Sequence, residues 1–239
     1  MTELKAVYQQ RFETVLRPVA NALEKQLHEY LEGAERIDRI AARAKSIDRF
    51  LAKAEKLENG VTKYSEPLRQ IQDQIGVRII TFYISDVDNV AKVVQRYYRP
   101  IETRALVPES ESEFGYFGLH YVLHVPTDVI EPSMDREMVP EFFELQIKTL
   151  FQHAWAEAGH DLGYKLGETP LSSDAKRRLA FASAQAWGAD RIFNDLFRER
   201  AESGAISSRG LGGDEARGRD EESGEASASF VKGGGQLNV

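Results

Sequence analysis

No cysteine occurs in the 239 residues, which excludes disulfides, thiolate metal sites and cysteine nucleophiles and leaves carboxylates, His, Lys, Arg, Ser and Tyr for any chemistry. Long apolar runs are missing too. Nothing approaches the roughly 18 residues a membrane helix needs, and the start, MTELKAVYQQRFE, has no signal-peptide apolar core. A cytoplasmic protein with no membrane partner is expected. Positive charge is in deficit, 31 Lys and Arg against 38 Asp and Glu, and the net charge of −7 argues against a general grip on long nucleic acid. A local basic pocket for a small charged ligand remains compatible with that surface. What is present is ordinary: 42% hydrophobic and 29% charged residues describe a globular chain, long enough for one domain with a full core.

Apolar residues from Leu4 to Leu31 recur at near-helical spacing and predict an amphipathic N-terminal helical segment (1–35), bent at Pro18. The basic stretch Arg36, Arg39, Arg43, Lys45, Arg49, Lys53 and Lys56 passes from an extended piece into a helix capped by Ser46 or Asp48. Gly76–Ile84 reads as a central strand covered on both faces, after which Asp86 can cap a helix that ends before Pro100. Residues 101–115 read as a polar, acidic loop, followed by a strand to Val125 with His120, Val122 and His124 on one face. In the next strand Phe143, Leu145 and Ile147 alternate with Glu144, Gln146 and Lys148, giving one apolar and one chemical face. Leu150–Leu162 predicts a helix with His153 and His160 on about the same face, and 172–200 one more helix or a kinked pair, with Trp155 and Trp187 in the core. From Ser203 the pattern dissolves into a Gly-, Ser- and charge-rich tail (203–239) expected to be disordered. The fold class this predicts is α+β, with a mixed sheet and helices packed around it.

One acid at a strand entrance, Asp73, and another within a strand, Glu144, beside Arg78, Lys45 and Lys53, suit a metal-phosphate site, where oxygen ligands favour Mg2+ over softer metals. The same residues read equally as one buried salt bridge plus one exposed acid, and the basic run as a solvated helix face. Spacing alone leaves both open. Tyr116, between two nearby glycines, also fits a turn or core aromatic.

The segments Arg43–Lys53, Asp73–Arg78, Gly115–His120, Glu144–Thr149 and Ala154–Lys165 resemble, in order, the successive motifs of RelA/SpoT alarmone synthetases, a similarity covering about residues 36 to 200. The resemblance implies a nucleotidyltransferase-like sheet within a synthetase domain at 36–202. It implies that Asp73 and Glu144 hold Mg2+ and act as the catalytic pair, and that Arg43 and Arg78 stack on the ATP adenine. Lys45, Ser46 and Lys53 would lie near the ATP phosphates and Tyr116 under a guanine base, with His120, Gln146, Lys148, His160 and Lys165 lining the acceptor side. The implied reaction moves pyrophosphate from ATP to the 3′-hydroxyl of GDP or GTP and releases AMP, with Glu144 also a candidate to draw the hydroxyl proton.

The chain departs from that pattern in having Phe117-Gly118 where Arg-Ser is usual, Gly159 where an acid often precedes the histidine, and Lys148 for an arginine. The donor side is thus intact and the acceptor side altered. A toxin-like pyrophosphokinase acting on tRNA 3′ ends or adenine nucleotides, and a non-catalytic nucleotide-binding module, stay open as alternatives. His160-Asp161 imitates the pair of a metal phosphohydrolase, but the N-terminal region offers only His28 as a further ligand. The apolar faces of the last helices would permit a homo-oligomer.

Overall fold

The computed structural model describes residues 2–105, 118–164 and 171–210. The chain falls into two units, Met1–Glu199 and Arg200–Val239; sheet, core and cleft belong to the first, and the described part of the second is the end of a helix that reaches Gly210. In chain order the elements are α1 (Thr2–Arg11), a π-helical turn (Phe12–Leu16), α2 (Arg17–Tyr30), β1 (Ile37–Ala44), α3 (Ile47–Ala54), a hairpin of β2 (Leu57–Glu58) and β3 (Val61–Thr62), and the single turn α4 (Pro67–Gln70). There follow β4 (Ile75–Thr81), α5 (Ile84–Tyr97), β5 (Pro100–Ala105), β6 (Leu119–His124), β7 (Phe142–Thr149), α6 (Leu150–Tyr164) and α7 (Ser173–Gly210).

Five strands form a mixed sheet in the order β1-β4-β7-β6-β5, with β4 parallel to β7 and the other neighbours antiparallel. Alternation along each strand divides its residues between two faces. Ile40, Val77, Ile79, Leu145, Ile147, Tyr121 and Leu123 face one way and pack with Val19, Leu23 and Leu27 of α2 and Val87, Val90 and Val94 of α5 into a single core. Arg43, Gly76, Arg78, Glu144, Gln146, Lys148 and His120 stand on the opposite face, so the core side fixes the register that lines up the chemical side. Edge protection is visible at β1, where Glu24 of α2 accepts the Ala42 N–H at 2.6 Å.

Several expectations need correction. The bend assigned to Pro18 takes the form of the π turn at 12–16, whose extra residue accommodates a proline that has no N–H to donate. The extended piece before Ser46 is a full edge strand, β1. Pro100–Ala105, read as loop, is the other edge strand; its charged residues and initial proline hide a ladder that has a partner on one side only. Asp86 caps α5 from inside its first turn, the N-cap position being Tyr83: its carboxylate accepts the Tyr83 N–H at 3.2 Å in a capping box and pairs with Arg36 at 3.0 Å. The strand expected to run to Ile84 stops at Thr81, and Trp187 is 43% exposed with the Arg191 guanidinium over its ring. The last helix continues past Ser203 to Gly210, while 211–239 lie outside the described residues. Among the described residues no helix is long and apolar enough to cross a membrane.

Candidate active site

Register across the sheet builds the site in two rows. One row runs Arg43, Gly76, Glu144, Val122, Glu102, and the next runs Ala41, Arg78, Gln146, His120, Arg104. Gly76 therefore lies between Arg43 and Glu144, and no atom stands within 4 Å of where its Cβ would be, which leaves bare sheet surface between a guanidinium and a carboxylate.

Asp73 enters from the short 3-10 turn ahead of β4. Its Oδ2 takes the Lys45 ammonium at 2.8 Å and its Oδ1 the Lys53 ammonium at 3.0 Å, so three residues distant in sequence close one cluster. The chain reaches this geometry because β1 ends at Ala44, Ser46 starts α3, and about two turns later Lys53 faces back toward the sheet. Glu144 accepts from Gln146 Nε2 at 3.0 Å and pairs with His120 Nδ1 at 2.9 Å. Burial pushes the Glu144 carboxyl up, but the His120 and Gln146 hydrogen bonds and the nearby Lys53 outweigh it and bring the pKa down to about 2. That carboxylate stabilises the fold above its ordinary 4.5, and the contribution is lost as pH falls from there through about 2.

Two cavities meet at Asp73. The larger, about 810 Å3, is lined by Arg43, Lys45, Arg49, Lys53, Lys56, Arg78 and Lys148, with Asp73 and Glu157 as the carboxylates among the described residues, and also by Gln146, Trp155 and His160. The smaller, about 270 Å3, holds Asp73, Glu144 and His120 with Lys53, Lys63, Tyr64, Gln70, Gln72 and Arg104. A chain of net charge −7 has thus gathered seven cations around one hollow, which focuses positive potential where a polyphosphate would lie. A third hollow of about 140 Å3, with Arg39, Arg43, Gly76, Arg78, Gln146 and His153 on its wall, adjoins the larger one through Arg43, Arg78 and Gln146. Arg78 is held by Glu157 at 2.7 Å and lies 3.3 Å from His153 Nδ1. Burial, with Arg78 and Arg49 nearby, lowers the Arg43 pKa, while burial and the proximity of Arg78 bring Lys148 down to about 8.

The predicted residues are thereby largely brought together. Asp73 and Glu144 share the smaller cavity, and Arg43, Lys45, Lys53 and Arg78 share the larger. Of the residues expected on the acceptor side, His120 faces the smaller cavity, whereas Gln146, Lys148 and His160 line the larger one beside Arg43, Lys45, Lys53 and Arg78. Ser46 starts α3 but its hydroxyl makes no capping bond, and it lines none of these cavities. Tyr116 and Lys165 lie outside the described residues. Sequence reasoning passed over Glu157, Tyr64, Lys63 and Arg104. Glu157 stands four residues after His153 on α6, a spacing that places both on one helix face and was available as a signal. Arg104 carries no such signal until β5 is recognised, when its register opposite His120 brings it to the cavity.

Gly118 explains one departure from the family pattern. A Cβ there would stand 2.5 Å from the Ile147 carbonyl oxygen and collide with the stem of Lys148, which is 5% exposed. The bare position lets the start of β6 close onto β7 with the lysine stem between them. Gly118→Ser is expected to displace Lys148 from the larger cavity and lower kcat/KM for the donor at least about tenfold. Steady-state kinetics on folded protein check this, and unchanged constants would show that Lys148 needs no such seat.

A family model described as "Region found in RelA / SpoT proteins" matches residues 42–169. The chain belongs to that family, and as such is an enzyme of the pyrophosphotransferase class. It is 28% identical over 194 residues, 79% of this chain and 85% of the relative, to the GTP pyrophosphokinase YjbM of Bacillus subtilis (strain 168). A GTP pyrophosphokinase family protein from Streptococcus pneumoniae superposes with a TM-score of 0.65 at 21% identity, covering 83% of this chain and 97% of that one. The small alarmone synthetase 1 of Bacillus subtilis, bound to its product pppGpp, superposes at 0.60 and 23% identity over 84% and 97%. These similarities establish the nucleotidyltransferase-like α+β fold.

Proposed function

We propose that this chain transfers pyrophosphate from ATP to the ribose 3′-hydroxyl of GDP or GTP and releases AMP. The observation that carries the reading is the position of Asp73 in the wall common to an electropositive cavity and a second cavity that contains Glu144. ATP would place its adenine near Arg43 and Arg78, whose planar cations suit stacking, and its phosphates among Lys45, Lys53 and Lys56. The acceptor would occupy the smaller cavity, with His120 and Arg104 toward its own phosphates. Its 3′-oxygen then forms a bond to the β-phosphorus as the hydroxyl proton passes to solvent, the bond from that phosphorus to the α,β-bridging oxygen breaks, and AMP departs with the electron pair. A GTP pyrophosphokinase as the relative covering 85% of its own length, and pppGpp as the product bound by a protein of the same fold, support this choice of acceptor.

Among the described residues no three His, Asp or Glu side chains converge on one point, so an all-protein metal cage is not formed. The donors do fit Mg2+, which is typically held by one or two carboxylates while substrate phosphates complete its shell. Asp73 and Glu144 would be those carboxylates, and Gln146, which lines the larger cavity with Asp73 and donates its Nε2 to Glu144 at 3.0 Å, keeps a buried Oε1 with no hydrogen-bond partner among the described residues. When bound, the ion supplies charge neutralisation on the transferring group. A Glu144 pKa near 2 suits a ligand that stays ionised and gives little driving force for taking a proton, so the proposed role of this residue is to hold the metal and to orient His120 and Gln146.

The test incubates the protein and Mg2+ with β,γ-labelled ATP and, separately, GDP, GTP, GMP, ATP or deacylated tRNA. Label is expected on GDP and GTP. Label on tRNA or ATP instead would install the toxin-like alternative, and label on none of them would leave a binding module.

A further inference from the structure

The family match begins at residue 42, so α1 lies outside it, yet α1 reaches the cleft through a closed ring of hydrogen bonds. Tyr8 and Arg11, one turn apart and on one face of the helix, are 0% and 6% exposed. The Tyr8 hydroxyl donates to the Lys45 carbonyl at 2.8 Å. The Lys45 N–H in turn donates to the Gln74 carbonyl at 2.8 Å. The Gln74 side-chain amide donates to the Leu68 carbonyl at 2.9 Å, and Arg11 Nη1 donates to that same oxygen at 2.6 Å, which closes the ring on α1. Arg11 Nε also donates to the Met138 carbonyl at 2.6 Å, just ahead of the strand that carries Glu144. The Tyr8 ring stacks on Phe50, centroids 3.6 Å apart and planes within 4°, and Phe50 belongs to the helix that delivers Lys53.

We propose that Tyr8 and Arg11 are positioning residues that hold in register the three backbone segments delivering Lys45, Asp73 and Glu144 to the cleft. The inference rests on the pyrophosphotransferase reading for its kinetic consequence, but its geometry is independent of the acceptor. Two of those side chains leave segments that the sheet ladder does not fix at that point, Lys45 after the end of β1 and Asp73 in a single 3-10 turn, and Met138 lies in the connection that leads into β7 and its Glu144. Backbone carbonyls in such connections need donors, and Tyr8 and Arg11, the two buried residues of an otherwise largely exposed helix, supply them. An arginine suits the position because its planar fork can serve two carbonyls from different segments at once, which a lysine ammonium on a flexible stem does less well. Burial pushes the Tyr8 hydroxyl pKa up, so it remains a donor throughout the working range. A shift of a fraction of an ångström in Lys45 relative to Asp73 would separate the groups that meet the donor phosphates, and misplacements of this kind cost rate steeply.

Tyr8→Phe removes one oxygen and keeps the stack on Phe50, so it isolates the hydrogen bond from the packing. Full-length wild type, Tyr8→Phe and Arg11→Lys are compared in three measurements: thermal unfolding, calorimetric affinity for a non-transferable α,β-methylene analogue of ATP with Mg2+, and kcat and KM for both substrates. Both variants are expected to weaken the analogue and lower kcat/KM for ATP about fivefold to tenfold, with the acceptor KM unchanged. A lowered Tm with wild-type analogue affinity and wild-type kinetic constants in both variants would overturn the proposal, since support of the fold alone predicts that result. Wild type that binds the analogue but labels no acceptor would defeat the transfer reading, and the calorimetric comparison would still decide the positioning role. If Arg11→Lys does not fold, Tyr8→Phe decides alone.

Discussion

Asp73→Asn is expected to lower kcat by about a thousandfold or more at saturating Mg2+ and ATP while the protein still folds. The carboxylate faces both cavities and draws two ammonium groups, Lys45 at 2.8 Å and Lys53 at 3.0 Å, onto its two oxygens. An asparagine has the same outline but no charge, so a hard divalent cation loses an anionic ligand where the two substrates would meet. Stability changes as well, and in a way that separates the readings. Removing the charge leaves two partly buried ammonium groups, with 18% and 29% of their side-chain surface exposed, facing a neutral amide. The expected cost is about 1–3 kcal/mol, several degrees in Tm for a chain of this size. If Asp73 were only one member of a structural ion pair, activity per folded molecule would survive. Labelled-ATP turnover measured alongside thermal unfolding makes the distinction, and turnover above about a tenth of wild type would remove Asp73 from the chemistry. Glu144→Gln is expected to match the loss in kcat. Its stability effect should fade below about pH 4, because the stabilisation from a carboxyl lowered to about 2 is lost as pH falls toward that value.

The parts of this site that were legible in the sequence are those carried on central strands. β7 alternates Phe143, Leu145 and Ile147 with Glu144, Gln146 and Lys148, and because the apolar set is fully buried the polar set has one place to go. Phe50 and Ala54 of α3 fix that helix against the core in the same manner, which turns Lys53 toward Asp73. The edges were harder to read. β1 mixes Asp38, Arg39 and Arg43 with small alanines, and β5 carries Glu102 and Arg104, so neither shows the apolar alternation by which a strand is recognised; each is a strand because a neighbour supplies its ladder. Long-range pairings left no local trace at all. Nothing in the order of residues says that Tyr8 will find the Lys45 carbonyl, 37 positions away, or that Asp86 will hold Arg36, a residue with φ 58° whose left-handed backbone is tolerated beside that ion pair. The motifs named the candidate residues, while their division between two cavities, with Gln146, Lys148 and His160 beside the cations, follows from strand register and the course of α6.

At pH 8, Asp190→Asn is expected to stabilise the protein by up to about 4 kcal/mol, and at pH 4 to leave it nearly unchanged. Asp190 of α7 is fully buried and accepts the Thr149 hydroxyl at 2.6 Å, so it joins the last helix to the end of β7. Asn194, one turn further, accepts the Ser85 N–H at 2.9 Å and ties the same helix to the start of α5. Burial lifts the Asp190 pKa from an ordinary 3.8 to about 7. Since the folded value lies above the unfolded one, the folded state holds a proton that the unfolded state has already released, and the stabilisation present below 3.8 drains away as pH rises through about 7. Asparagine imitates the protonated acid at every pH, so the difference between variant and wild type should open across that window and stay constant above it. Denaturant unfolding at pH 4, 6 and 8 would trace the curve, and a variant no more stable than wild type at pH 8 would mean that Asp190 is ionised and well paired in the fold. The location gives the result a consequence for catalysis: Thr149 directly follows Lys148, so an alkaline loosening of the α7 contact acts on the strand that carries Glu144, Gln146 and Lys148 into the cleft. Activity of the wild type should then fall above pH 7 more steeply than that of Asp190→Asn, and equal slopes would confine Asp190 to stability alone.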